Sequence, residues 1–322
     1  MLLAGDTFDS ATPSPQVLRQ ALAAMRDETD VIWWLLPGNH DNMRNAEPVW
    51  ETIRADAPGN VHALLDTAPV ELEAGVSLLP CPVPVRSAGR DLTEGLPQVE
   101  TPEDALRIGL AHGGVVDFSE SGERIPPDRD STAGLDYLAL GDWHGRLKVS
   151  ARTHYAGTPE QDQFKHDARG ACLAVAIPGR NGEPEVREIE TGSFLWRDLG
   201  LMLHEGEDAA AALEALLPAS DRRNTLIRIK AEGWASLAEH AALRGTVARH
   251  APEFAHLDLQ ADRLGTLHSI ADLDEIDHAG AMRLAAQQLM MEAGDPAIRE
   301  EDRAIAAAAL NRLYAYAKEA SK

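Results

Sequence analysis

The chain has 322 residues, 44% hydrophobic and 25% charged, with a net charge of −22. That length exceeds one compact core of ordinary size and suggests two domains, and the charge excludes a protein that coats nucleic acid through a broad basic face. No apolar run approaches the roughly 18 to 20 residues that span a bilayer, the first residues lack the basic start of a signal peptide, and Cys81 and Cys172 imply no disulfide framework, so a cytoplasmic protein without membrane contact is expected.

In chain order, a helix is predicted over 14–26, opening with Pro15 just inside a serine cap, then a strand over 31–36 and a helix over 47–55. Strands follow at 70–72, 76–79, 106–111, 135–140, 153–156, 171–177 and 186–189. Several are continuous apolar runs, as in strands buried between two layers. The stretches 92–104 and 119–131, polar and rich in Pro, Gly and Glu, read as surface loops. After Gly192 strands at 199–203, 225–231 and 256–260 alternate with helices at 208–217, 235–250, 279–292 and 300–320. This part reads as a smaller α+β domain over 193–322, following an α/β domain over 1–192.

Four segments share a pattern in which an apolar strand runs straight into polar residues able to bind metal. They are Leu2-Leu3-Ala4-Gly5-Asp6-Thr7-Phe8-Asp9, Leu35-Leu36-Pro37-Gly38-Asn39-His40-Asp41, Ile108-Gly109-Leu110-Ala111-His112-Gly113-Gly114 and Leu138-Ala139-Leu140-Gly141-Asp142-Trp143-His144-Gly145. In layered α/β architectures sites gather at the carboxyl ends of strands, so these ends place oxygen and nitrogen ligands on one rim. A glycine beside each ligand lets the backbone turn sharply and a phosphate come close.

At these residues the sequence resembles the calcineurin-like metallophosphoesterases, whose motifs read Asp-x-His, Gly-Asp-x-x-Asp, Gly-Asn-His-Asp/Glu, an isolated His and Gly-His-x-His. The order from Tyr137 to His144, followed by Tyr155-Ala156-Gly157-Thr158-Pro159, resembles the SbcD nuclease branch and its YhaO-like relatives. The resemblance implies a four-layer α/β/β/α sandwich with a C-terminal capping domain. It implies two divalent ions, Mn²⁺ foremost with Fe or Zn as alternatives, that activate water against phosphorus. Asp6 would bridge the ions, Asn39, His112 and Asp142 would complete one shell, and His144 would serve the other. His40, held by Asp41, would steady the transition state or protonate the leaving oxygen.

Two departures stand out. Asp142 occupies a position that is usually His in that family, and the Asp-x-His motif is absent, because the chain opens inside the strand that feeds Gly5-Asp6. A reading frame started too late is the favoured expectation, with a fragment or a one-ion protein as alternatives; an exposed sheet edge and poor activity are expected with it. The substrate implied by the resemblance is DNA, cut as an exonuclease or endonuclease in DNA repair, with an ATPase partner of the SbcC or YhaN kind and a possible homodimer. Two rivals stand beside it: a phosphatase or cyclic-nucleotide phosphodiesterase, and a degenerate scaffold that only binds a partner. Arg222, Arg223, Arg228 and Lys230 form the one dense basic cluster, read as a DNA or partner contact or as a solvated strand edge. His62, His154, His166, His204, His240, His250, His256, His268 and His278 read as ordinary surface or core histidines.

Overall fold

Short apolar runs in the first part of the chain pair as parallel strands, and the residues that interrupt them become turns. The computed structural model describes residues 1–115, 124–166, 168–267, 276 and 280–320. These divide into two units, Met1–Glu160 with Gly170–Gly192, and Gln161–Arg169 with Ser193–Lys322. Part of the loop predicted over 119–131, the first residue of the helix predicted over 279–292, and His268 and His278 lie outside the described residues.

The first unit is mixed α/β. Strands β1 (Leu2–Leu3), β2 (Trp33–Leu35) and β3 (Val61–Ala63) form a parallel sheet in that order. Helices α1 (Pro15–Asp27) and α2 (Glu47–Asp56) bury Leu18, Val49, Trp50 and Ile53 with Leu35 and Val61. Ser14 caps α1 by accepting the Val17 N–H at 3.3 Å. A second sheet contains β4 (Val70–Glu73), β5 (Val76–Cys81), β6 (Leu106–His112), β7 (Tyr137–Gly141), β8 (Leu147–Lys148) and β9 (Thr153–Tyr155), in the order β4-β5-β6-β7-β9-β8. Its middle strands are parallel and its edges, β4 and β8, antiparallel. Leu36, Leu64, Leu78 and Leu110 form one apolar cluster, with Leu2 and Trp34 from the first sheet packed against it. Leu79, Leu96, Leu135, Leu138 and Leu140 form another.

Several features of this unit escape a sequence reading. β3 has three residues with His62 at its centre, too short for a periodic signal. A one-turn helix, α3 (Arg129–Thr132), overlaps the end of the loop predicted over 119–131. The strands predicted over 171–177 and 186–189 pair with each other alone, as an antiparallel hairpin of β10 (Ala171–Ala176) and β11 (Glu185–Glu190). Arg107, 8% exposed, is a clamp: its guanidinium donates to the carbonyls of Leu96, Val99 and Ala133 and to Thr101 Oγ1.

In the second unit β12 (Leu195–Leu203), β13 (Thr225–Ser236) and β14 (His256–Leu267) form a parallel sheet. These strands outrun the predicted 199–203, 225–231 and 256–260, because charged residues at their ends are accommodated by cross-strand pairing, as where Glu232 faces Arg263. The register shifts by one residue between Lys230 and Glu232. Helices α4 (Ala209–Leu216) and α5 (Leu237–His250) supply Leu213 and Leu243 to a core with Leu201, Ile227, Ile229 and Leu257. α5 opens with a capping box, in which Ser236 and Glu239 exchange hydrogen bonds. Helices α6 (Ala281–Gly294) and α7 (Glu300–Ala320) pack on α5 through Ala286, Leu310 and Tyr314 against Leu237. No helix among the described residues is long and apolar enough to cross a membrane.

Two substitutions calibrate these interactions. Leu110→Ala, at a fully buried position, is expected to cost about 2–5 kcal/mol, whereas Ser236→Ala removes half a capping box and costs about 1 kcal/mol. Urea unfolding of both variants measures the difference.

Candidate functional site

The carboxyl ends of β1, β2, β6 and β7 meet on one rim, and close backbone approach brings them together. His112, the last residue of β6, is buried, and its Nδ1 lies 2.8 Å from the Ala4 carbonyl just beyond β1. Gly5, at φ +88°, leaves the space that the His112 ring occupies; any Cβ there would overlap it. Gly38 does the same for the Asp6 carboxylate. The His40 N–H donates to Asp6 Oδ1 at 2.9 Å, which ties the β2 loop to the β1 loop. Asp6 and Asp142 have positive φ, 53° and 97°. Non-glycine residues held so cost of order 1–3 kcal/mol each, and such strain gathers at functional sites.

The electrostatics centre on one pair. His112 Nε2 lies 3.3 Å from Asp6 Oδ2 and 3.7 Å from Asp142 Oδ1. Burial pushes the Asp6 carboxyl up, but the His112 imidazole and the His40 N–H outweigh it and hold the group below the usual carboxylate range. Burial likewise depresses His112, and Asp6, the Ala4 carbonyl and Asp142 together reverse it, leaving the imidazole more basic than an ordinary histidine.

Three buried atoms on this rim make no hydrogen bond, Thr7 Oγ1, Asn39 Oδ1 and His112 Nε2, the last with Asp6 Oδ2 3.3 Å away as its ionic neighbour. Leaving a buried polar atom unmatched costs about 1–3 kcal/mol. A carbonyl can only accept, so His112 Nδ1 carries its proton toward Ala4, and in the neutral ring Nε2 presents a lone pair. Metal-ligating histidines are oriented in this way, the far nitrogen anchored to a carbonyl. Asn39 Oδ1, His112 Nε2 and the carboxylates of Asp6 and Asp142 are oxygen and imidazole donors on this rim, a mixed set of the kind that suits a divalent cation. Among the described residues no group of three His, Cys, Asp or Glu side chains is placed to hold a metal ion. His144 is exposed on the loop after β7, where its carbonyl accepts the Thr158 N–H at 3.0 Å. The Tyr155 hydroxyl donates to the Gly113 carbonyl at 2.6 Å, bracing the loop that follows His112.

The expected His40–Asp41 pairing is corrected by the geometry. Asp41 is fully buried, and its carboxylate accepts the N–H groups of Gly38 at 2.7 Å and Phe8 at 3.2 Å. A buried carboxylate needs such donors. Burial raises the Asp41 carboxyl above its ordinary range, against the pull of both bonds. His40 Nδ1 instead meets Asp9, 3.0 Å from its carbonyl and 3.4 Å from Oδ1. Asp9 is the residue a sequence reading passes over, although it stands in Gly5-Asp6-Thr7-Phe8-Asp9 and the spacing could have marked it.

Three of the four cations in the basic cluster of the second unit are paired with the protein's own carboxylates. Arg222 pairs with Glu253, and Arg228 and Lys230 both meet Asp198, at 2.7 and 2.6 Å. Arg228 also lies over the Phe164 ring, 4.5 Å from its centroid.

No family model matches the chain, and neither does any curated protein. One crystal structure is similar at 9% identity over 55% of this chain and 77% of its own, with a TM-score of 0.29. A likeness at that level carries no argument about fold or chemistry.

The contrast between the two aspartates is measurable. Asp41→Ala strands two buried N–H groups and is expected to lower stability by about 2–4 kcal/mol. Asp9→Ala, at a fully exposed side chain, stays within about 0.5 kcal/mol of the parent. Thermal and urea unfolding of the two variants compares them directly.

Proposed function

We propose that the chain is a metal-dependent phosphoesterase of the calcineurin-like class, on a four-layer α/β/β/α sandwich with a C-terminal cap, and that it hydrolyses phosphodiester bonds in DNA. The reading rests on the orphaned Asn39 Oδ1 and His112 Nε2 beside Asp6, with His40 on the neighbouring loop. The motif order from Gly5-Asp6 to Asp142-Trp143-His144 supports it.

Asp6, Asn39, His112 and Asp142 would hold the ion, Mn²⁺ by preference, and His144 would serve a second. Such an ion, when bound, offsets charge developing on phosphoryl oxygens and lowers the pKa of water. The protein's own groups divide the remaining work. The Ala4 carbonyl fixes the His112 ring, so its Nε2 is turned toward Asp6 and Asp142, where it would serve as a ligand. Asp41 locks the Gly38–Asn39–His40 turn by holding two of its backbone neighbours. Asp9 anchors His40 Nδ1, which leaves Nε2 as the group that meets the leaving oxygen and delivers a proton to it. An ATPase partner of the SbcC or YhaN kind and self-association belong to this reading, because an acidic chain gains DNA affinity most readily from another subunit.

A second reading, hydrolysis of a small phosphoester, is favoured by the pairing within the basic cluster, since Arg222, Arg228 and Lys230 are committed to the protein's own carboxylates. Nucleotide release from end-labelled linear duplex DNA and hydrolysis of bis(p-nitrophenyl) phosphate, each with and without Mn²⁺, separate the two. His40→Ala is expected to lower the rate by about 10²–10⁴-fold, with Mn²⁺-induced thermal stabilisation retained. Asp6→Ala should abolish both. Turnover unchanged in His40→Ala would remove the assigned role, and no hydrolysis of either substrate would leave the chain a non-catalytic binding protein.

A further inference from the structure

Parallel sheets are ordinarily covered on both faces. In the second unit α4 and α5 cover one face of β12-β13-β14, where Leu201, Ile227, Ile229 and Leu257 lie. Side chains alternate along a strand, so Trp196, Asp198, Met202, Arg228, Lys230, Glu232 and Trp234 share the opposite face. Phe164 covers one end of it, with its ring 4.9 Å from that of Trp196. The other end is open: Met202 and Trp234 are 56% and 57% exposed.

That open end is a shallow groove of about 540 Å³. Gly233 and Gly265 contribute no side chain to it, and Trp234 lies directly across from Gly265 in the register. A Cβ at Gly265 would strike the indole at Cε3 and Cζ3, so the glycine seats the ring against the sheet. The rim carries Glu232 and Asp262 against Arg263, with Met202 at the apolar side. Arg263 donates to Glu232 at 3.0 Å, through a side chain that is 82% exposed. Exposed pairs of this kind hold weakly and exchange partners readily.

We propose that this groove is a docking site for a basic, extended segment of a partner protein, with an arginine of that segment seated on the Trp234 indole between Glu232 and Asp262. The chemistry is complementary in three respects. An exposed indole face attracts a guanidinium through its quadrupole. The carboxylates of Glu232 and Asp262 supply acceptors, and Arg263 shows that Glu232 already receives a guanidinium. The net charge of −22 draws a cationic segment toward the surface and repels an anionic one. A nucleic-acid strand, the other ligand that stacks on tryptophan, would meet a rim with two acids and one base.

Isothermal titration of the full chain with the dodecapeptide (Arg-Gly-Ser)₄ tests this, alongside the same peptide with citrulline in place of arginine and a dodecathymidylate. The arginine peptide is expected to bind, and the citrulline peptide and the oligonucleotide to fail. Trp234→Leu, which leaves net charge unchanged, should weaken binding by about tenfold, the scale of a partly desolvated cation–π contact. Glu232→Gln with Asp262→Asn should weaken it comparably, and an unchanged melting temperature in each variant establishes that the fold is intact. Equal binding to the parent and to Trp234→Leu would reduce the effect to general attraction by an acidic surface and overturn the site. Binding of the dodecathymidylate that is lost in Trp234→Leu would assign the groove to nucleic acid instead, and absence of peptide binding would exclude the proposal.

Discussion

The hydrogen bond between the His112 ring and the Ala4 carbonyl joins strand ends from two different sheets, and the geometry of the rim follows from it. The bond fixes which imidazole nitrogen carries the proton, and so which one faces Asp6 and Asp142. It is possible only because Gly5 lacks a Cβ where the ring lies. Asp6 then has a single place to go, across Gly38 and onto the His40 N–H. Backbone strain at Asp6 and Asp142 is the cost of this convergence. The apolar cluster of Leu36, Leu64, Leu78 and Leu110 holds the strands against that strain.

Much of the rim was legible in the sequence because its signals are local. A run such as Leu35-Leu36-Pro37-Gly38-Asn39-His40-Asp41 announces a strand, a sharp turn and donor side chains within seven residues. The contacts that decide roles are long-range and left no such trace. Asp41 sits next to His40 in sequence, and the family resemblance implied a pair; in space it is the more buried group, and it is consumed by the N–H groups of Gly38 and Phe8. The partner that His40 does find, Asp9, is 31 residues away. Pairing of that kind depends on two loops meeting, which spacing alone does not encode.

The second unit shows a different limit. The strands β13 and β14 were foreshortened by a sequence reading because Glu232, Gly233, Asp262 and Arg263 look like the start of loops. Within a sheet those residues have partners, and the ladder continues to Ser236 and Leu267. The Arg228–Lys230 cluster likewise reads as a positive patch in one dimension, yet both cations converge on Asp198 of the neighbouring strand, which offsets one of the two charges. Local charge density is therefore a poor guide to surface potential when the opposing charge arrives from another strand.

The one-residue shift in the pairing of β13 with β14 has its own consequence. Continued without it, the register that sets Lys230 opposite Gln260 would have set Glu232 opposite Asp262 and Trp234 opposite Leu264. The extra residue in β14 replaces that repulsion between two carboxylates with an attraction to Arg263, and it exchanges a leucine beneath the indole for a glycine. A bulge is a positional device in a ladder and not a defect. In this sheet it sorts charges, moving every residue after it into a new pairing along β14.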